Sequence, residues 1–447
     1  MLSQLVSRAG HLRRPFVAHC HIRTWTTYTQ TTDALTIHSL NNTSFPYIWL
    51  RDSCSSSKCI HRTSTQKLHR SSDIPLTIAP INQGVKVTSS GIDIIWNDGH
   101  ESNFDQAFLE RHSSTSKLAE WHLDHYLTEE TWTHTSISNL SGLFIPYNNI
   151  INTSSGLVQA ITQLLKYGLM FISGVPNQET SNDTCELRRL AERFGEIRTT
   201  FYGPLWDVVN GNNDGKNIAY TDLDLGLHMD LLYVFFFFFF FFFGCHRTSI
   251  DSCRYRYFQH PPRYQMLHCL RNQVLGGTSI FVDALHVARK LQESHPEEFD
   301  ILTKTPVAFH YMVDGHHLHH ERPTIELALP SIYSTSSEPR ISDISYSPPF
   351  QAPLPLTTPM RFYPALARFA EMLNDPMNTF KYTLREGDAV VFDNRRVLHA
   401  RTAFRDKPGV EMAQGQINRW LKGCYLEDDT VMDRVRVLRA EQEKKID

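Results

Sequence analysis

Nine phenylalanines in a row, Phe235 to Phe243, begin five residues after the triplet His228-Met229-Asp230. Such a run suits neither a half-buried strand, whose side chains alternate between core and solvent, nor a solvated loop. Exposed, it drives aggregation. A fold built around the triplet must therefore extrude the run or do without it. The triplet itself carries chemistry. In an extended strand, side chains at i and i+2 share a face, so His228 and Asp230 would present an imidazole and a carboxylate together. Two such ligands and a distant histidine make the 2-His-1-carboxylate face that holds non-heme Fe(II) and leaves positions open. His-x-Asp recurs by chance, so its weight depends on a third ligand in a matching setting.

That setting comes late in the chain. Gly387-Asp388 leads into the apolar run Ala389-Val390-Val391-Phe392, and His399 lies just beyond it. Farther on, Ile417 to Tyr425 reads as another strand. With these residues in place, the chain resembles the Fe(II)/2-oxoglutarate-dependent oxygenases of the taurine dioxygenase-like superfamily. The likeness is nearest to the γ-butyrobetaine and trimethyllysine dioxygenases of carnitine synthesis, and it covers nearly everything after the first thirty residues. It implies a mainly β fold with flanking helices: a double-stranded β-helix (jelly roll) catalytic domain preceded by a small β-rich domain.

The resemblance also assigns roles. His228, Asp230 and His399 would be the iron ligands, with 2-oxoglutarate as co-substrate and Arg419 pairing with its distal carboxylate. Arg401 and Arg405 are fallback candidates for that pairing, because the gap from His399 to Arg419 is longer than usual in the family. Asn217 would contact co-substrate or substrate. Tyr202, Trp206, Tyr220 and Tyr425 match family positions that surround a quaternary ammonium, which aromatic faces attract by about 0.5–2 kcal/mol each. Any one of the four alone reads as ordinary core. Tyr425 lies six residues past Arg419, so a regular strand puts both on one face. Dioxygen is the second co-substrate, and the resemblance leaves room for assistance by ascorbate and for a homodimer.

The 447 residues suffice for two domains. Net charge is −3 overall and +4 over residues 1–30, so the remainder carries −7, which gives no reason to expect nucleic acid. Arg8, Arg13, Arg14 and Arg23, with Ser and Thr and no acid among them, give the first thirty residues the composition of a mitochondrial transit segment. A basic tail on a cytoplasmic protein is the alternative. No apolar run reaches the roughly 18–20 residues of a membrane helix, and a soluble protein is expected.

The eight cysteines are scattered rather than arranged as a secreted disulfide framework. Only Cys54 and Cys59 are spaced for shared work. With His61 in the same loop and His100 after the Asn97-Asp98-Gly99 turn, two thiolates and two imidazoles would make a tetrahedral zinc site. The alternative is two buried thiols and two surface histidines. The oxygenases that the chain resembles carry such a domain, opened by a motif like Trp49-Leu50-Arg51-Asp52, and many have a further cysteine where Ser56 stands.

The expected organisation is a β-rich domain over 31–135 and an oxygenase domain over 140–447, joined by a polar linker around Thr133 to Asn139. Leu157 to Tyr167 carries apolar residues at helical spacing, and Leu169 to Ile172 reads as a strand. Asp183 to Glu186 fits a capping box that starts a helix ending at Gly195. Gly276 to Asp283 reads as a glycine turn and a strand, and Phe362 to Leu373 as an amphipathic helix. The histidines at 310, 316, 317, 319 and 320 read as an exposed loop rather than a metal site.

Residues 233–256 interrupt the family pattern. Removing them gives His-Met-Asp-Leu-Leu-Tyr-Phe-Gln-His-Pro-Pro, which has the family's Tyr-Phe and Pro pair. Codons for Leu232, Tyr233 and Val234 can spell a splice donor, those for Tyr255 and Arg256 an acceptor, and repeated TTT a pyrimidine tract. We read the segment as a retained intron; a lineage-specific loop is the alternative. The expected function is hydroxylation of γ-butyrobetaine to L-carnitine. Its rivals are trimethyllysine hydroxylation, oxidation of another small molecule such as a sulfonate, and a polypeptide inactivated by the insertion. Tyr346-Ser347-Pro348 departs from an Asn-Asn pair that animal members place near the substrate carboxylate.

Overall fold

The computed structural model describes residues 27–122, 129–209, 218–232, 260–313, 315–328, 339–407 and 417–444. Asn217, the insertion at 233–256 and nearly all of the expected transit segment lie outside these residues. The chain divides into two compact units, Met1–Trp121 and His122–Asp447.

The first unit holds two antiparallel three-stranded sheets. One is Tyr28–Gln30, Ala34–Ile37 and Thr43–Pro46; the other is Pro80–Val87, Gly91–Trp96 and Glu101–Asp105. Leu35, Leu50, Trp96 and Phe104 fill the core between elements, and the buried Trp96 indole N–H donates to Ser102 at 2.9 Å. Two boundaries differ from expectation. The first strand begins at Tyr28, inside the segment assigned to targeting. The unit ends at Trp121 instead of 135, and the expected linker is a helix, His134–Ser138, of the second unit. Its polar sequence is misleading because Thr133 caps it and only Ile137 needs burial. Just before it, the buried Trp132 gives its backbone N–H to Asp283 at 2.9 Å.

Two sheets dominate the second unit. The larger runs in the order Leu205–Val209, Arg419–Leu426, Tyr264–Asn272, Ala389–Asp393, Leu169–Ser173, Phe144–Pro146, with Ile197–Arg198 also paired to Arg419–Leu426. All its pairs are antiparallel except the last. The smaller runs Leu225–His228, Val397–Arg401, Ser279–Asp283, Thr379–Tyr382. Phe281 of the smaller sheet meets Phe171 and Phe392 of the larger at 5.7 and 5.8 Å, so the sheets pack face to face. Helices Ser154–Tyr167, Glu186–Phe194 and Asp428–Glu443 pack on the larger sheet's other face. This is a mostly β arrangement with flanking helices, consistent with a jelly roll. No described helix is long and apolar enough to cross a membrane.

Local sequence accounts for most of these elements. All five residues of Ala389–Asp393 are buried, as a continuous apolar run covered on both faces should be. Thr153 Oγ1 accepts from Gly156 N at 2.9 Å to start the first of these helices, and Gly168 ends it at φ +69°, which a side chain rarely adopts. The capping box expected at Asp183 is absent. That helix starts at Glu186 behind Cys185, with no side-chain cap, because its apolar face alone fixes it. His310, His319 and His320 lie on the strands of a hairpin, Pro306–Tyr311 with Leu318–Pro323, while His316 and His317 are in the exposed loop that joins them. The buried alternation Val307, Phe309, Tyr311 outweighs the polar residues of the strands. Beneath the smaller sheet, Arg396 pairs bidentately with the fully buried Asp283, at 3.0 and 2.8 Å, and donates to the Lys166 and Glu130 carbonyls.

Candidate active site

His228 ends the strand Leu225–His228, and His399 sits opposite it on the neighbouring strand, so the two imidazoles are a cross-strand pair with centroids 4.1 Å apart. Asp230 is not in that strand. It lies in the turn that follows, where Leu231 adopts φ +59°, an uncommon conformation for a branched side chain. A turn therefore does the work that the i, i+2 strand argument assigned to strand geometry. Asn394 holds the turn in place: its Oδ1 accepts from Asp230 N at 2.9 Å, and its Nδ2 donates to Asp230 O and Pro262 O. His228 Nε2, His399 Nε2 and the Asp230 carboxylate converge, with ligand atoms all within 4.8 Å of one another.

These groups suit a divalent cation. His228 Nδ1–H donates to the Gly226 carbonyl at 2.9 Å, so Nε2 turns either a lone pair or a second proton toward Asp230 Oδ1, 3.4 Å away. A metal ion held there would take the place of that proton. Burial, reinforced by the His228 charge, pushes His399 down to about 3, which leaves a neutral ring with a free lone pair. Burial acts to raise the Asp230 carboxyl, yet the His228 hydrogen bond and the two imidazoles hold it well below the usual carboxylate range.

One cavity opens beside the three groups. Its wall includes Tyr202, Trp206, Tyr220 and Tyr425, together with Arg401, Arg419, Gln265 and Phe350. The Trp206 and Tyr425 rings lie 5.3 Å apart and those of Trp206 and Tyr202 6.5 Å apart. Trp206 can lie there because Gly423 has no side chain: a Cβ would sit 2.2 Å from the indole. The structure thus brings all four predicted aromatic residues to one space.

The three arginines separate clearly. Arg401 lines the cavity but donates to the carbonyls of Ala219, Thr221 and Leu223, at 2.9, 2.8 and 2.6 Å. Its fork is committed to the segment that carries Tyr220. Arg405 lies in the short strand Phe404–Asp406, exposed and away from the cavity wall, so it drops out as a fallback. Arg419 is buried and faces the cavity, 5.3 Å from the Phe404 ring. Burial, with Arg401 nearby, pushes it down to about 10, which still leaves a cation at neutral pH.

Sequence reasoning missed Gln265 and Asn394 here, and named Tyr425 for its ring but not for its hydroxyl. Gln265 Nε2 and the Tyr425 hydroxyl both donate to Asp230 Oδ2 at 2.9 Å, and Asn394 pins the Asp230 peptide. A polar residue inside the apolar run Tyr264-Gln265-Met266-Leu267 was the available signal for the first. Asn394 carried none beyond its place in a turn.

The first unit has its own cluster. His100 Nε2 lies 3.2 Å from Cys54 Sγ and 3.3 Å from Cys59 Sγ, and the Ser56 hydroxyl is 3.3 Å from Cys54. His61 does not join them; its Nδ1 is hydrogen-bonded to Ser64 Oγ at 2.9 Å. Its loop folds back on itself through the Ile60↔Lys67 bridge, which carries the ring away. Among the described residues, these three and the His228 group are the clusters that could hold a metal ion.

A facial pair of imidazoles and a carboxylate between two antiparallel sheets, with a buried arginine beside them, defines a class of metal-dependent oxygenase. Comparison with known proteins gives the family. The Taurine catabolism dioxygenase TauD, TfdA family model matches residues 139–249 and 253–425, parting within the insertion, and the chain belongs to this family. It is a 2-oxoglutarate-dependent dioxygenase. The Gamma-butyrobetaine hydroxylase-like, N-terminal model matches residues 27–110. Dioxygenase str8 of Strobilurus tenacellus is 47% identical over 92% of this chain and 89% of its own. Human gamma-butyrobetaine dioxygenase is 27% identical over 89% of this chain and 92% of its own. Human mitochondrial trimethyllysine dioxygenase is 27% identical over 88% and 82%. Among solved structures, a taurine dioxygenase from Burkholderia xenovorans aligns at 16% identity and TM-score 0.40, over 61% of this chain and 81% of that one.

Proposed function

We propose that the protein hydroxylates a small trimethylammonium compound, γ-butyrobetaine in the first instance, with Fe(II), 2-oxoglutarate and dioxygen. The observation that carries this is the gathering of Tyr202, Trp206, Tyr220 and Tyr425 around one cavity whose floor is His228, Asp230 and His399. A quaternary ammonium has no N–H to donate and is attracted by aromatic faces. His228, Asp230 and His399 would hold the iron, and Arg419 would pair with the distal carboxylate of 2-oxoglutarate. Bound iron and 2-oxoglutarate would supply the oxidising power for an unactivated C–H bond. The residues' own part is positioning: Arg401 fixes the Ile218–Tyr220 segment, Gly423 seats Trp206, and the apolar walls Leu225, Leu267 and Leu421 exclude water.

Trimethyllysine is the second reading, favoured by relatives of similar identity that carry that name. The 47% relative is named only as a dioxygenase, so another small substrate stays in the panel. A mitochondrial location is supported by the acid-free, arginine-bearing start and by relatives named as mitochondrial. In the first unit, Cys54, Cys59 and His100 would hold a structural zinc ion. The test is succinate release and product mass with γ-butyrobetaine, trimethyllysine and taurine as alternatives. Stimulation by γ-butyrobetaine with a hydroxylated product is expected; stimulation by taurine alone would overturn the proposal.

A further inference from the structure

We propose that Gln265 and Tyr425 are positioning residues that reserve Asp230 Oδ1 for the metal, and that Asn394 fixes the peptide carrying it. The proposal rests on the reading of His228, Asp230 and His399 as iron ligands. Gln265 and Tyr425 are directly opposite each other on adjacent strands of the larger sheet. Facing them, His228 and His399 are directly opposite each other on the smaller sheet. Asp230 lies between the two pairs. Its Oδ2 accepts from Gln265 Nε2 and from the Tyr425 hydroxyl, both at 2.9 Å. A carboxylate oxygen has about two lone-pair sites, so these two donors fill Oδ2. Oδ1 lies 3.4 Å from His228 Nε2, the position that a metal ion would share, while Oδ2, already holding two donors, is 3.9 Å from His399 Nε2.

Alternative orientations are closed off. Turning the Gln265 amide over would aim its carbonyl oxygen at a carboxylate. Gln265 is 1% exposed, so its amide is held by protein neighbours. The Tyr425 ring is held against Trp206, and Trp206 against the bare backbone of Gly423. Asn394 then removes the remaining freedom by bonding both the N–H and the carbonyl of Asp230. Ligation through one oxygen uses one coordination position; ligation through two would use a second that a chelating keto acid needs. The same hydroxyl therefore links the aromatic cavity to the metal ligand, a role distinct from that of the Tyr425 ring.

The test is Co(II) binding to the full chain carrying Cys54→Ser and Cys59→Ser, which removes the thiol cluster of the first unit as a competing site. Binding is followed by the visible d–d absorption of the metal, without turnover, and all variants below are made in that background. Tyr425→Phe removes one oxygen and keeps the ring; Gln265→Leu removes the amide. Outer partners of metal ligands typically contribute roughly 10–100-fold in affinity. Each variant should raise the Co(II) dissociation constant by roughly that factor and alter the absorption band. Thermal melting checks that they fold, and if Gln265→Leu does not, Tyr425→Phe decides alone. His228→Ala separates the two levels. If it abolishes binding while Tyr425→Phe binds within about twofold of the parent, the positioning role is wrong and the metal site stands. If it leaves Co(II) binding intact, the metal site and the positioning role fall together.

Discussion

At the scale of single residues, burial decides which groups can do chemistry. Arg419 was the candidate in the sequence with Arg401 and Arg405 as fallbacks, because a linear chain does not show that the Arg401 guanidinium is committed to carbonyls. The structure leaves Arg419 facing the cavity. Arg419→Ala should therefore raise the 2-oxoglutarate requirement by roughly 10- to 100-fold, the loss of a charged hydrogen-bonded pair worth about 1.5–3 kcal/mol. Titrating succinate release against 2-oxoglutarate checks this, and Arg405→Ala should leave the requirement unchanged. His268 gives a second residue-scale prediction. It is fully buried in the larger sheet, and burial, only partly offset by the Val175 backbone, pushes it down to about 4. In the unfolded chain it titrates near 6.5, so between pH 6.5 and 4 the unfolded state binds the extra proton. Its contribution to stability is thus full above pH 6.5 and is lost as pH falls toward 4, by at most about 3 kcal/mol. Urea melts at pH 7 and pH 5 should show a smaller acid-side loss in His268→Leu than in the parent.

Among elements, those with a strong period were legible and those decided by one contact were not. Leu157, Ile161, Leu164 and Leu165 at helical spacing, and the run at Ala389 to Phe392, lie where the pattern puts them. The Asp230 turn was not legible, because it depends on Asn394, which is 164 residues away in sequence. The strands flanking the exposed His316-His317 loop were missed because polar residues hide a buried alternation. The Asp283–Arg396 pair was equally invisible, yet it ties the strand Ser279–Asp283 to the turn before His399 and to the carbonyls of Glu130 and Lys166. Asp283→Ala would leave a buried guanidinium uncompensated. The expected cost is roughly 3–5 kcal/mol in a denaturant melt, and less for Asp283→Leu combined with Arg396→Met. A cost under about 1 kcal/mol would mean that the pair is solvated in the folded protein.

For the whole molecule, the division into a small β-rich unit and an oxygenase unit followed from motifs, while their boundary did not, since the polar helix His134–Ser138 reads like a linker. The insertion remains the main departure from the family pattern. Its flanks are held by one turn: Asn394 bonds Asp230 O and Pro262 O, and Arg395 donates to Pro261 O at 2.9 and 2.7 Å. Asp230 and the Pro261-Pro262 flank are thereby tied to the same turn. Deleting residues 233–256 should raise solubility, because nine phenylalanines exceed what a finished core can absorb; equal solubility of the two forms would make the segment a true structural element. The most direct measurement is succinate release by the chain supplied with Fe(II), 2-oxoglutarate and γ-butyrobetaine, beside His399→Ala under the same conditions. Substrate-dependent release that disappears in His399→Ala is expected. Release persisting at the parent rate in that variant would contradict the assignment of the three ligands.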